Sequence, residues 1–447
     1  MTIKKAALIT ALDPENPYSR IAVNLGLLNI AASVKTKVDV HIVDSLGSIF
    51  RLRPDIVGIS SVTENYGRAI NMAKEIKMEL NVPIVIGGTH ISALPESLDR
   101  VFSAGIIGEG EETFSEILSR YPDLSKVDGL VRWSGDSLAF TPSRRMIKCL
   151  DSLPLPDWKR WVERPGLPYV MTSRGCPYKC SFCSSPVQWG SVRLHSPERV
   201  LQEIRLIREL YGSRHIKFFD DIFILDKKRV KKIVEMIDSE GLNKRITFSC
   251  FSRADLIDKE TAALLLKGNV RFVSLGIESG SSKVAKALKG TCSAPAHNQR
   301  VVDMLHTEGF YTGCLFIIGS PTETEKDLIK TLKFIEKNEK KMFEIEINPY
   351  IVRPGTPFWK KAVKKKLVYN EMNWELLKDY SLLNFFDPDR YVYVNEHMPY
   401  EKFLEYVERF KEIFKRVVMD PKKMSMFRGL IGPEDIPVKL AEEDLSS

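Results

Sequence analysis

Three cysteines, Cys176, Cys180 and Cys183, fall within eight residues in the run Met171-Thr-Ser-Arg-Gly-Cys176-Pro-Tyr-Lys-Cys180-Ser-Phe-Cys183, a C-x3-C-x2-C spacing. Three thiolates on one short loop can hold three irons of a cubane cluster and leave the fourth open to an outside ligand. Zinc is the competing metal, but structural zinc closes its shell with four ligands. The next histidine, His195, lies twelve residues beyond Cys183, which is not a zinc-like spacing. The loop therefore reads as a redox-active 4Fe–4S site, with all three cysteines as metal ligands and catalytic groups.

Bulk properties bound what surrounds that loop. The chain has 447 residues, 44% hydrophobic and 28% charged, within the ordinary globular range and long enough for two or three units. Its net charge of +8 and pI near 8.9 are mild for this length. Much of the excess sits in short runs such as Lys337–Lys341 and Lys364–Lys366, which read as solvated faces, so nucleic acid is not the expected partner. No apolar run approaches the roughly 20 residues that span a bilayer. The N-terminal apolar stretch is short and ends at Asp13-Pro14-Glu15, which reads as a first strand rather than a signal peptide. A cytoplasmic protein is expected. Seven cysteines, with Cys149, Cys250, Cys292 and Cys314 scattered, do not form a disulfide framework; the scattered ones read as packing.

The elements that must position the cysteine loop follow from periodicity. Apolar runs at Ala6–Leu12, Val38–Val43, Ile56–Ser61, Ile84–Ile86 and Ile106–Ile107 read as strands, with helices at Gly26–Val34, Tyr66–Leu80 and Glu111–Arg120. That alternation predicts a flavodoxin-like, doubly wound α/β domain over residues 1–125, with ligand outside the carboxyl ends of the strands. Residues 126–167 are proline-rich and read as an interdomain linker carrying a short hairpin near Val131–Phe140. From Tyr169 a second alternation places strands at Tyr169–Ser173, Ile216–Phe219, Ile246–Cys250, Phe272–Gly276, Thr312–Ile318 and Glu344–Tyr350. Helices fit between them at Pro197–Tyr211, Lys227–Ser239, Lys259–Leu266, Ser282–Ala287, Asn298–Glu308 and Glu325–Asn338. Six β/α units over 168–360 make a partial (β/α)6 barrel with its chemistry at the carboxyl ends of the strands. Residues 361–447 read as a small helical C-terminal subdomain.

The three-cysteine loop at the end of the first barrel strand, with aromatic Phe182 before the last cysteine, resembles the radical S-adenosylmethionine (SAM) superfamily. The resemblance extends over roughly 169–358, through Phe218-Phe-Asp220-Asp221, Ser252-Arg253, Gly276-Ile-Glu278-Ser279-Gly280, Ile317-Ile318-Gly319-Ser320-Pro321-Thr-Glu323 and the barrel-closing Pro354-Gly355-Thr356-Pro357. It implies that the open iron binds the amino and carboxylate groups of SAM. Reduction by an external low-potential donor, flavodoxin or ferredoxin, then yields a 5′-deoxyadenosyl radical. It also implies cofactor contacts at Phe182, at Asp220 and Asp221 near the SAM amine, and at Arg253 near its carboxylate. Glu278 and Ser279 would lie near the ribose, and Gly319 near adenine. Helix capping or ion pairing are competing readings at Asp220, Asp221, Arg253 and Gly319.

The first 120 residues resemble the cobalamin-binding domain that precedes the barrel in a large radical SAM subfamily. The matching runs are Leu25-Gly26-Leu27-Leu28, Arg53-Pro54-Asp55-Ile-Val-Gly58-Ile-Ser60-Ser61, Gly87-Gly88-Thr-His90 and Gly108-Glu109-Gly110-Glu111-Glu112-Thr113. The implied contacts to cobalamin are Ser60, Ser61, Gly87 and Gly88. Many such domains carry D-x-H-x-x-G after the first strand; here Leu12-Asp-Pro-Glu-Asn-Pro-Tyr has no histidine, so binding without a His ligand is expected. His90 is expected to pack or to touch the cofactor's tail. The absence of G-x-G-x-x-G argues against a nicotinamide enzyme. Residues 1–120 contain no cysteine, which argues against a tRNA methylthiotransferase. The expectation is a cobalamin-dependent radical SAM enzyme, a methyltransferase acting on a small molecule, with a non-methylating cyclisation or oxidation as the alternative.

Overall fold

The computed structural model describes residues 2–12, 24–161, 167–290, 294–378, 386–418, 420, 421, 423 and 425. Two sheets organise it. The first contains β1 (Lys5–Thr10), β2 (Asp39–Ile42), β3 (Ile56–Ser60), β4 (Ile84–Gly87), β5 (Ala104–Ile106), β6 (Leu130–Ser134) and β7 (Ser137–Phe140), in the order β2-β1-β3-β4-β5-β6-β7. The first five are parallel and doubly wound, as the alternation of runs predicts. The expected hairpin is β6–β7, and β6 pairs antiparallel with β5, so it extends the sheet rather than bridging two bodies. A helix at Leu46–Leu52 follows β2, capped by Ser45 and closed by Arg53 at φ 46°. Its seven residues are too short to display a helical period, so the sequence pattern does not reveal it.

The second sheet runs β15-β14-β13-β12-β11-β8, all parallel and open at both edges. Its strands are β8 (Tyr169–Val170), β11 (His215–Phe218), β12 (Thr247–Ser252), β13 (Val270–Glu278), β14 (Tyr311–Ile318) and β15 (Met342–Pro349). The run read as one strand over 169–173 breaks after Val170. Its continuation, β9 (Ser173–Arg174), turns aside to pair antiparallel with β10 (Arg193–Leu194). Capping sets the barrel helices. Ser196, Asp226 and Asp258 accept the third backbone N–H of Pro197–Tyr211, Lys227–Ser239 and Lys259–Lys267, and Thr324 with Asp327 forms a capping box on Glu325–Asn338. Each such cap is worth about 1 kcal/mol and starts the helix soon after a strand end.

Past the barrel, the helix Tyr400–Val418 presents Phe403, Tyr406, Val407, Phe410, Ile413, Phe414 and Val417 as one buried stripe. It packs on β15 and on Glu325–Asn338 and joins the barrel core. Trp359, Trp374 and Leu377 instead join Ile59 and Ile86 of the first sheet and Ile91 of the helix Thr89–Ala93 in a shared core, so the C-terminal third packs on both domains. Among the described residues, no helix is long and apolar enough to cross a membrane. Phe403 is fully buried, against Gly319 and the rings of Phe386 and Tyr391. Phe403→Ala should lower unfolding free energy by about 3–5 kcal/mol, measured by denaturant titration.

Candidate active site

The thiol loop leaves β9 at Arg174. Gly175 at φ +89° makes the turn, and a Cβ there would come 2.8 Å from the Ser191 carbonyl oxygen, so the position requires glycine. The loop is then tied down from the other side of the barrel. Ser181 donates its backbone N–H to Leu288 O at 2.8 Å and its hydroxyl to Ala287 O at 3.1 Å. Cys176, Cys180 and Cys183 are free and half-buried, and their charges interact. Among the described residues, no three Cys, His, Asp or Glu side chains converge on one ion. A cubane does not ask that of them, since each thiolate takes a different iron. Burial pushes all three thiols up, Cys183 to about 12. The loop therefore holds protonated thiols until a metal replaces the protons. The Ser185 N–H, 3.4 Å from Cys183 Sγ, and the Arg253 guanidinium, 3.9 Å from Cys180 Sγ, are donors suited to cluster thiolates. The residues fit the cluster.

Two cations flank Cys180. Arg253 is buried, not a surface residue; it chelates Asp255 through two bonds of 2.9 and 3.1 Å and stacks over Tyr178 at 3.8 Å. The second cation was not anticipated. Lys289, the last residue of the helix Ser282–Lys289, donates to Gly276 O at 2.5 Å and pairs with Glu278 at 3.3 Å, both side chains nearly sealed from solvent. The partner that a buried Glu278 requires is thus Lys289. Burial raises the Glu278 carboxyl, against the opposing pull of Lys289 and Arg253. Gly276 makes the pair possible: a Cβ there would meet Glu278 Oε1 at 2.4 Å and Lys289 Nζ at 3.2 Å. The signal was present in the sequence, as a lysine closing the helix directly after the Gly-Ile-Glu-Ser-Gly run.

Other sequence candidates separate. Asp221 is exposed beside the loop, bonded to Ser185 and coupled to Cys176 and Cys183. Asp220 points the other way, into the core, accepting from Thr172 at 3.0 Å and from Ser173; burial raises it to about 6. Ser279 is fully buried and bonded to Thr331 at 3.0 Å. Gly319, at φ +75°, donates its N–H to buried Glu323 at 2.6 Å and lies under Phe403, which accounts for the glycine by packing. Phe182 packs into the core shared with the first sheet.

In the first domain, Ser60, Ser61, Gly87 and Gly88 gather at the carboxyl ends of neighbouring β3 and β4. Gly88, at φ +110°, lies so close to Ser61 that a Cβ would be 2.2 Å from its carbonyl oxygen. The Ser60 hydroxyl accepts from Asn24 at 3.3 Å. The small residues at this strand-end edge leave room for a bulky cofactor. His90 is fully buried, stacked on Tyr66 at 4.1 Å, edge-on to Trp374 at 4.5 Å and bonded to Ser97 at 2.8 Å. Burial lowers it to about 3, and it serves packing. The run after β1 that lacks histidine and the residue Cys292 lie outside the described residues, Leu12 apart. Cys250 and Cys314 are buried core thiols.

The two edges meet. The helix Ser185–Trp189, directly after Cys183, packs on Thr89–Ala93, directly after Gly88. Beneath that contact, Arg174 bonds Glu109 and Glu111 at 2.5 Å each, and Arg193 bonds Glu109 at 2.8 Å. Burial would raise Glu109, but the bond from Arg193 and the charge of Arg174 hold its carboxyl below the usual range.

A cubane-type thiol loop at the mouth of an open parallel barrel, packed against a doubly wound domain, defines a radical SAM enzyme with a B12-binding domain, and the chain belongs to that family. Residues 170–335 match the radical SAM superfamily and residues 20–118 the B12 binding domain. The chain is 34% identical over 375 residues to an uncharacterised methyltransferase of Pyrococcus horikoshii, covering 78% of this chain and 80% of that one. It is 25% identical over 358 residues to an anaerobic magnesium-protoporphyrin IX monomethyl ester cyclase of Cereibacter sphaeroides, covering 75% of this chain but 56% of the cyclase. Its fold matches TsrM, a radical SAM methyltransferase from Kitasatospora setae solved with cobalamin and a 4Fe–4S cluster, with TM-score 0.73, 17% identity, and coverage of 94% and 90% of the two chains. The cofactors of the chain are accordingly a 4Fe–4S cluster, SAM and cobalamin.

Glu109→Ala would leave Arg174 and Arg193 buried with too few partners and should cost about 3–5 kcal/mol in denaturant titration. The pH sign follows from the depressed carboxyl. Relative to Glu109→Gln, the wild-type advantage is full above the ordinary value of 4.5 and fades as pH falls through the lower native value.

Proposed function

We propose that the chain is a cobalamin-dependent radical SAM methyltransferase acting on a small molecule. The observation that carries this reading is the packing of the helix after Cys183 on the helix after Gly88, which sets the thiol loop beside the edge of the B12-binding domain. When bound, the cluster with SAM supplies a 5′-deoxyadenosyl radical, and cobalamin supplies a methyl carrier.

In this reading Cys176, Cys180 and Cys183 are the cluster ligands. The exposed carboxylate of Asp221 takes the SAM amine, Arg253 and Lys289 present positive charge beside Cys180, and Glu278 faces the ribose. Gly319 offers backbone to adenine. Ser60, Ser61, Gly87 and Gly88 receive cobalamin. Asp220, Ser279 and Phe182 act through position, by holding the strand ends and the loop in place. In this reading the chain divides into a cobalamin-binding unit over 1–125, a connection over 126–167 whose hairpin joins the first sheet, a barrel over 168–360 and a C-terminal subdomain over 361–447. An external low-potential donor such as flavodoxin or ferredoxin supplies the electron.

The cyclase similarity supports a second reading, a radical reaction without methyl transfer. Product analysis separates the two. With substrate, a methyltransferase yields both S-adenosylhomocysteine and 5′-deoxyadenosine, whereas the alternative yields 5′-deoxyadenosine alone. Cys180→Ala should lose the iron–sulfur absorption of anaerobically reconstituted protein and abolish SAM cleavage. Normal cleavage by that variant would overturn the assignment.

A further inference from the structure

The inner face of the second sheet carries charges that none of the roles above uses. Along its strands Ile216, Phe218, Phe248, Cys250, Ile345 and Ile347 are at most 1% exposed, buried in the core beneath the helices. Side chains alternate along a strand, so the intervening Lys217, Ser249, Phe251, Ser274 and Glu344 point to the opposite, concave side. The electrostatics of Lys217 and Glu344 agree with that direction. They sit on β11 and β15, with β12, β13 and β14 between them in the sheet, yet their charges act on one another. Only a path across the interior makes that interaction significant.

The two groups face each other without touching. Among the described residues, no hydrogen bond or ion pair holds either side chain. The Lys217 ammonium lies 4.1 Å from the Phe251 ring and 5.7 Å from Phe219, and the charges of both Glu344 and Glu346 act on it. Glu344 is exposed, and the Lys217 charge acts on its carboxyl. Ser274 and Gly313 keep the wall between them low; a Cβ on Gly313 would lie 2.9 Å from Ser274 Oγ. A half-buried ammonium and a lumen-facing carboxylate that no ion pair joins are suited to pair with opposite charges on one ligand.

We propose that Lys217 and Glu344 form the polar floor of the substrate site and select an amphoteric small molecule, whose carboxylate pairs with Lys217 and whose basic nitrogen, several bonds away, pairs with Glu344. Its apolar stem lies against Phe219 and Phe251. The inference rests on the radical SAM reading of the barrel, because the thiol loop crowns the same strands.

The test uses the reconstituted holoenzyme and three probes in isothermal titration calorimetry: 6-aminohexanoate, hexanoate and hexylamine. The amphoteric probe should bind more tightly than either singly charged one. Lys217→Met and Glu344→Gln should each weaken it by roughly tenfold or more, and Lys217→Arg should retain it. Hexanoate binding should respond only to Lys217→Met, and hexylamine only to Glu344→Gln. Equal binding of the three probes, or affinity unchanged by both variants, would overturn the proposal. Iron–sulfur absorption and SAM cleavage, measured on the same preparations, separate the two readings. Their presence with failed probe selectivity sinks the floor alone, and their absence in the wild-type protein sinks the radical SAM reading itself.

Discussion

The buried ion network of Glu109 and Glu111 with Arg174 and Arg193 is the constraint on which the rest of the site depends. All four side chains are 7% exposed or less. Arg174 stands two residues before Cys176, and Glu109 stands at the start of the helix Gly110–Arg120 in the first domain. The network thus fixes where the thiol loop leaves the barrel relative to the strand ends of the B12-binding domain. Its net worth to stability is modest, because four desolvated charges consume most of what they gain by pairing. Its value is directional: Arg174 bridges Glu109 and Glu111 through different nitrogens while Arg193 also holds Glu109, so two domains with separate sheets keep one relative placement.

That placement matters because the chemistry is shared across the seam. The contact between Ser185–Trp189 and Thr89–Ala93 is made by two short helices, each beginning within two residues of a proposed cofactor contact. Short helices have little stability of their own. They hold position because Gly88 and Gly175 let the backbone turn in against Ser61 and Ser191, and because the shared core of Ile86, Ile91, Tyr350 and Trp374 closes over them.

Much of this was legible in the sequence, and what was not has a common cause. The helices with explicit caps, Pro197–Tyr211, Lys227–Ser239 and Glu325–Asn338, were read to the residue, because local side chains specify both period and start. The thiol loop was legible from spacing alone. The division of labour between Asp220 and Asp221 was not, since neighbours on a strand end point to opposite sides and only the finished fold says which side is core. Glu109 looked like part of a ligand-binding run; its partners lie 65 and 84 residues away. The lysine closing the helix after the Gly-Ile-Glu-Ser-Gly run is visible in the sequence, but its pairing with Glu278 exists only when that helix folds back over β13.

The placement of cations around Cys180 follows a consistent electrostatic logic. Arg253 is held by Asp255 and Lys289 by Glu278, so each cation enters the site already paired with an acid. An unpaired buried cation would pay full desolvation and would be driven outward or neutralised. A paired one keeps its place while still presenting field and free N–H groups to the thiolate side. The lumen below is built on the opposite plan: Lys217 and Glu344 are kept apart rather than joined. Groups that must orient a cluster gain from being preorganised before it arrives. Groups that must recognise a ligand gain from remaining unsatisfied until it does, because pairing them with each other would spend the same interaction twice.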